Sequence, residues 1–140
     1  MTFDEAKFRE VSDLVRSLPI DWEDFDLFNT SYAVRAVPSK NEDGSPNGSP
    51  AEYDLHENGQ CGIYLWEDIG EKKQRPLLFH EMVEIYHKVA LDMSKIEAHN
   101  TTMPWEKRFC LEYLTPSELA KYLKFKKEHG CNGFDLSNNK

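Results

Sequence analysis

Residues 75–91, RPLLFHEMVEIYHKVAL, read as a helix with a broad apolar face that has to be covered. On a wheel of about 100° per residue, Leu78, Phe79, Met82, Val83, Ile85, Tyr86, Val89 and Ala90 take one side. His80, Glu84, His87 and Leu91 fall within about 60° of one another on the other, with Glu81 and Lys88 beside them. Pro76 stands near the first turn, where proline is tolerated.

Two readings of that polar strip stay open. Every amphipathic helix needs a polar face, and His and Glu are legal there. Yet a plain solvent face is usually richer in Lys and in i,i+4 Glu–Lys pairs, and Leu77 and Leu91 flank this strip at both ends. The second reading is a metal site. His80 and Glu84, one turn apart, leave the helix one above the other and can hold two corners of a tetrahedral zinc ion. Two histidines and a carboxylate form a catalytic ligand set that leaves a corner for water. Glu81 would then be the general base that takes the water's proton.

The remaining chain supplies candidates for the third ligand in IEAHNTTMPWEKRF. His80 and His87 are about 10 Å apart along a helix axis, too far to share one ion. His99 is the expected ligand. Glu106, seven residues on, shares a face with it in an unbroken helix and is expected either as a ligand or as the partner that fixes a histidine ring. Glu97 and His87 are weaker candidates for completing the ligand set. Glu84-x-x-His87 also has the spacing of di-iron bundles, but those need two such motifs on four helices, and only one is present.

The rest of the chain predicts an α+β domain. Residues 3–17 carry Phe3, Ala6, Phe8, Val11, Leu14 and Val15 at helical spacing, and Pro19 ends the run. Tyr32, Val34 and Ala36 alternate like a strand, and CGIYLWED at 61–68 is a second one. These are expected to pair as a hairpin or short antiparallel sheet. SKNEDGSPNGSPAE at 39–52 carries Gly, Pro, Ser and Asn and no large apolar residue, so it reads as a flexible loop. A helix interrupted or restarted at Pro104 follows. The last helix is delimited by Thr115 as N-cap, Pro116, Glu118 and Gly130, and is expected to be structural only. Residues 131–140 read as a loose tail. Too little chain precedes the 39–52 loop for a separate core, so residues 1–140 are expected to form a single domain.

Composition narrows the function. The formal net charge is −8, which argues against nucleic acid or an anionic membrane as main partner, since both reward clustered Lys and Arg. No apolar run is long enough for a membrane span, and MTFDEAKFRE lacks the apolar core of a signal peptide. Cys61, Cys110 and Cys131 form no metal-knuckle spacing. Reduced thiols in a cytoplasmic protein are the expectation.

FHEMVE after GIYLWED resembles the active-site helix of zincin metallopeptidases, whose signature is H-E-x-x-H; here Glu84 stands where the family has its second histidine. The similar order of elements covers roughly residues 3–113. The resemblance implies a zincin-like fold, in which a sheet strand leads into the metal helix and a later helix adds the third ligand. It implies a zinc-dependent hydrolase, with a peptide or protein as substrate. Because Glu84 departs from the pattern, the alternative is a non-enzymatic interaction module that keeps the scaffold and binds a protein partner.

Overall fold

The structure, a computed structural model, describes residues 4–17, 22–27, 30–55 and 60–130. The chain runs α1 (Glu5–Ser17), β1 (Trp22–Leu27), β2 (Thr30–Val37), β3 (Ala51–Leu55), β4 (Gln60–Trp66), α2 (Glu71–Ile85), α3 (Lys95–Tyr113) and α4 (Pro116–Glu128). It is a small α+β domain with one mixed sheet of order β1-β2-β4-β3.

The strands do not pair as the local pattern predicts. β2 and β4 lie side by side in parallel, from Ser31↔Gln60 to Val37↔Trp66. A parallel pair needs a connection of a dozen residues or more, and the chain between them is long enough to cross over. That connection also contains β3, which pairs antiparallel with β4 (Tyr53↔Ile63) and forms one edge of the sheet. β1 forms the other edge, antiparallel to β2.

The 39–52 segment is a built turn as far as Pro50, and its last residues open β3. Asn41 N donates to Ser45 O, Ser39 Oγ to Asp68 Oδ2 and Trp66 Nε1 to Asn47 O, at 2.8, 2.7 and 2.9 Å. Short polar side chains that suit a loop also bond their own backbone. The 131–140 tail, including Cys131, lies outside the described residues.

The helices follow their caps. The Asp4 carboxylate accepts from Lys7 N at 3.0 Å at the start of α1. Ser94 with Glu97, and Thr115 with Glu118, form reciprocal capping boxes on α3 and α4. α3 passes through Pro104 without a break. α2 starts earlier than expected, at Glu71 behind Gly70, whose φ of 89° favours glycine. Pro76 therefore stands inside the helix, where it removes one backbone donor. At its C-terminal end α2 continues as a π-helical turn, Tyr86–Ala90.

α2 is the centre of the molecule. It packs against β3, β4, α1, α3 and α4, and every residue from Gln74 to Ile85 is buried. Phe79 stacks on Phe109 at 4.5 Å and meets Phe8 edge-on at 5.5 Å. Tyr32 and Val34 of β2, and Ile63 and Leu65 of β4, complete the core under it. The polar strip is thus no solvent face: His80 is 7% exposed, Glu84 5% and His87 0%. Among the described residues, no helix is long and apolar enough to cross a membrane.

Candidate metal centre

Burying a histidine and a carboxylate is costly unless each finds a partner. Here the partners are one another. His80 Nε2 lies 2.9 Å from Glu84 Oε1, one turn along α2. His99 Nδ1, from the first turns of α3, reaches the same oxygen at 3.1 Å. His80, Glu84 and His99 each offer a ligand atom, and these atoms lie within 4.8 Å of one another. The structure brings together the three residues expected as ligands. The NTT that follows His99 is helical, which carries Thr102 and Glu106 down the same helix.

Glu106 stands behind His80. It is fully buried, and its Oε1 sits 2.6 Å from His80 Nδ1. Its Oε2 accepts from Tyr122 Oη at 2.6 Å and from Lys126 Nζ at 2.7 Å. Both ring nitrogens of His80 thus face carboxylates, as in a charged imidazolium; only a ring that has given up its Nε2 proton and kept the one on Nδ1 would present a lone pair on the Glu84 side. A carboxylate that fixes a histidine in this way is the usual support of a ligating imidazole. Glu106 therefore stands behind His80, outside the group that His80, Glu84 and His99 form.

Glu97 and His87 do not join the cluster. Glu97 is exposed and occupied in the Ser94 capping box. His87 turns to α3, with Nδ1 3.0 Å from Thr102 Oγ1 and its ring edge-on to Trp105. The π turn that begins at Tyr86 breaks the 3.6-residue period on which His87 shares a stripe with His80.

Charge is concentrated at this point. Burial opposes the charged form of His80, but Glu106 and Glu84 outweigh it and raise His80 to about 10. Burial would raise Glu84, yet the bonds from His80, His99 and Tyr53 bring it down to about 2. Glu106 falls to about 2 against its burial, through His80 and Lys126. Glu81 goes the other way, because burial pushes it up to about 8, with His80 opposing. No group among the described residues hydrogen-bonds the Glu81 carboxylate. Two ionised carboxylates, Glu84 and Glu106, are thus offset by a charged His80 and by Lys126.

His80, Glu81, Glu84 and His99 line a cleft of about 710 Å³, together with Tyr53 of β3 and Lys126 of α4. Tyr53 Oη donates to Glu84 Oε2 at 3.0 Å. Tyr53, Lys126 and Tyr122 are the site residues that the sequence reading misses. Tyr53 directly follows the segment that reads as loop, so nothing local marks it as part of a strand. Lys126 carries a readable signal: it stands four residues after Tyr122 and seven after Leu119, in the buried register of α4. α4 thus supplies Tyr122 and Lys126 to the carboxylate that bonds His80.

Comparison with protein-family models, with curated proteins and with solved structures finds no match to this chain. Any functional reading rests on the residues themselves.

Proposed function

We propose that the protein binds one divalent cation, zinc by the chemistry of its donors, through His80, Glu84 and His99, and uses it for hydrolysis on a zincin-like scaffold. One observation carries this reading: two imidazole nitrogens and a carboxylate oxygen converge in a cleft, with Glu106 fixing the first histidine from behind. Two nitrogens and one oxygen suit zinc better than calcium or magnesium, which prefer oxygen donors. A cation held there would supply Lewis acidity toward a carbonyl oxygen and toward water.

The chain's own residues would do the rest. Glu106 keeps the proton of a neutral His80 on Nδ1, so that Nε2 can ligate. Lys126 and Tyr122 keep Glu106 in place as the acceptor. Glu81, beside His80 and facing the cleft, would accept a proton from attacking water and pass it to the leaving group once the charge of the cation offsets the burial that otherwise keeps it protonated at neutral pH. A peptide is the favoured substrate class, because β3 borders the cleft as an edge strand to which an extended chain can add. The buried free thiols of Cys61 and Cys110 suit the reducing cytoplasm.

Metal analysis of protein purified without a histidine tag is the direct test. About one zinc per chain is expected. A chain that neither retains nor takes up a divalent metal is not this hydrolase, and the interaction module then becomes the better account.

A further inference from the structure

Glu84 is the residue at which this helix departs from a two-histidine metal helix, and its two oxygens have different surroundings. Oε1 faces both His80 Nε2 and His99 Nδ1, at 2.9 and 3.1 Å. Oε2 accepts a hydrogen bond from Tyr53 Oη at 3.0 Å. We infer that Tyr53 is a positioning residue that holds Glu84 as a one-oxygen ligand and so keeps a coordination position open for water or substrate. This inference rests on the reading of His80, Glu84 and His99 as a metal site.

The need for such a residue follows from having a carboxylate at this position. An imidazole offers a metal one nitrogen. A carboxylate can offer one oxygen or both. Two histidines and a two-oxygen glutamate would already make four donors, which is the closed arrangement of a structural site rather than the open one of a catalytic site. A phenol bonded to Oε2 engages that oxygen and fixes the plane of the carboxylate. Its anchor is firm: Tyr53 comes from the opposite wall of the cleft, on a strand held in register with β4 through Tyr53↔Ile63. Glu84 is thereby fixed from α2 on one side and from the sheet on the other.

The visible d–d absorption of the cobalt(II)-loaded full chain reports coordination number and so tests the assignment. Four-coordinate cobalt absorbs strongly, and a fifth donor weakens and shifts the bands. Tyr53 is half-buried, and Tyr53→Phe keeps its ring and packing while deleting only the hydroxyl. Spectra are recorded with and without azide: the wild type is expected to show the stronger bands and to shift them when azide takes the open position, and Tyr53→Phe either to lose intensity as the second Glu84 oxygen becomes a fifth donor beside the water or, where that oxygen displaces the water, to lose the azide shift. In a Glu84→His background the same Tyr53→Phe change should leave the spectrum as it was, because imidazole has no second donor to release. Spectra indifferent to Tyr53→Phe beside Glu84 both with and without azide, or ones that change equally in both backgrounds, overturn the inference and leave the metal site standing. A wild type that takes up no cobalt(II) overturns the metal reading and this inference with it.

Discussion

At the scale of single residues, roles separate by what each side chain touches. If the proposed centre holds zinc, removing His80, Glu84 or His99 deletes one of three donors, and each change to Ala should lose the metal at a chelator concentration where the wild type keeps it. Glu81→Gln should retain the metal and reduce hydrolysis of a susceptible peptide by about 10²-fold or more, since a general base does not hold the ion. Metal loss in Glu81→Gln to the same degree as in His80→Ala would put the roles in error. His87 makes a different prediction. Burial lowers it to about 4, with only the Glu84 charge opposing. Its partners on α3 are Thr102 and Trp105, neither of which titrates there. The unfolded chain binds a proton near pH 6.5 while the native state stays neutral, so this contribution is present above about 6.5 and lost as pH falls toward 4. His87→Gln abolishes the group, so the stability gap between wild type and variant, measured by urea unfolding, should narrow from pH 7 to pH 4.5. A gap that widens on acidification would contradict it. The residues legible from sequence are those linked by helical spacing: His80 to Glu84, and His99 to Glu106. Tyr53 and Lys126 reach the site across the fold; helical spacing marks Lys126 as buried on α4, but no local period announces what either residue bonds.

At the scale of elements, α4 changes its meaning. Its boundaries are legible because caps are local chemistry, with Thr115 and Glu118 bonding each other's backbone. Its function is not, because Lys126 is 3% exposed only by virtue of where α4 docks against α2 and α3. The two properties can be tested apart. Thr115→Ala removes a cap and should cost about 1 kcal/mol while leaving metal affinity alone. Lys126→Ala leaves the buried Glu106 charge to His80 and Tyr122 alone, so it should cost up to the roughly 3–5 kcal/mol seen when one partner of a buried pair is removed. It should also weaken zinc binding by about 10-fold or more, as losing the support of a ligand does. Equal effects of the two variants on metal affinity would return α4 to a purely structural role. The same contrast between local and distant information explains the sheet. β2 and β4 are visible from their Tyr, Val and Ile content, whereas their parallel pairing depends on a crossover that no single stretch encodes. β3, with the pattern AEYDL, is too short and too polar to be read as a strand.

At the scale of the whole molecule, the candidate site lies where the elements meet. α2 and α3 carry the three donors, α4 supports one of them through Glu106, and β3 bonds another through Tyr53. In the unfolded chain these residues are scattered from position 53 to 126, so they form no common site for the ion. A cation that binds only the native arrangement must stabilise it, by RT ln(1 + [L]/Kd). At a free zinc concentration of 100 Kd this amounts to about 2.7 kcal/mol, which a domain of this length should register as a rise of roughly 5–10 °C in melting temperature. The wild type in zinc should therefore melt well above the same protein in chelator. His80→Ala and Glu84→Ala should melt at one temperature in both. The sign carries the information: binding to exposed carboxylates or to histidines of the unfolded state would raise all variants alike, or lower them. A zinc-dependent rise that persists in His80→Ala would place the ion away from this cleft. A rise confined to chains with all three donors would tie the stability of the fold to the same groups proposed to carry its chemistry.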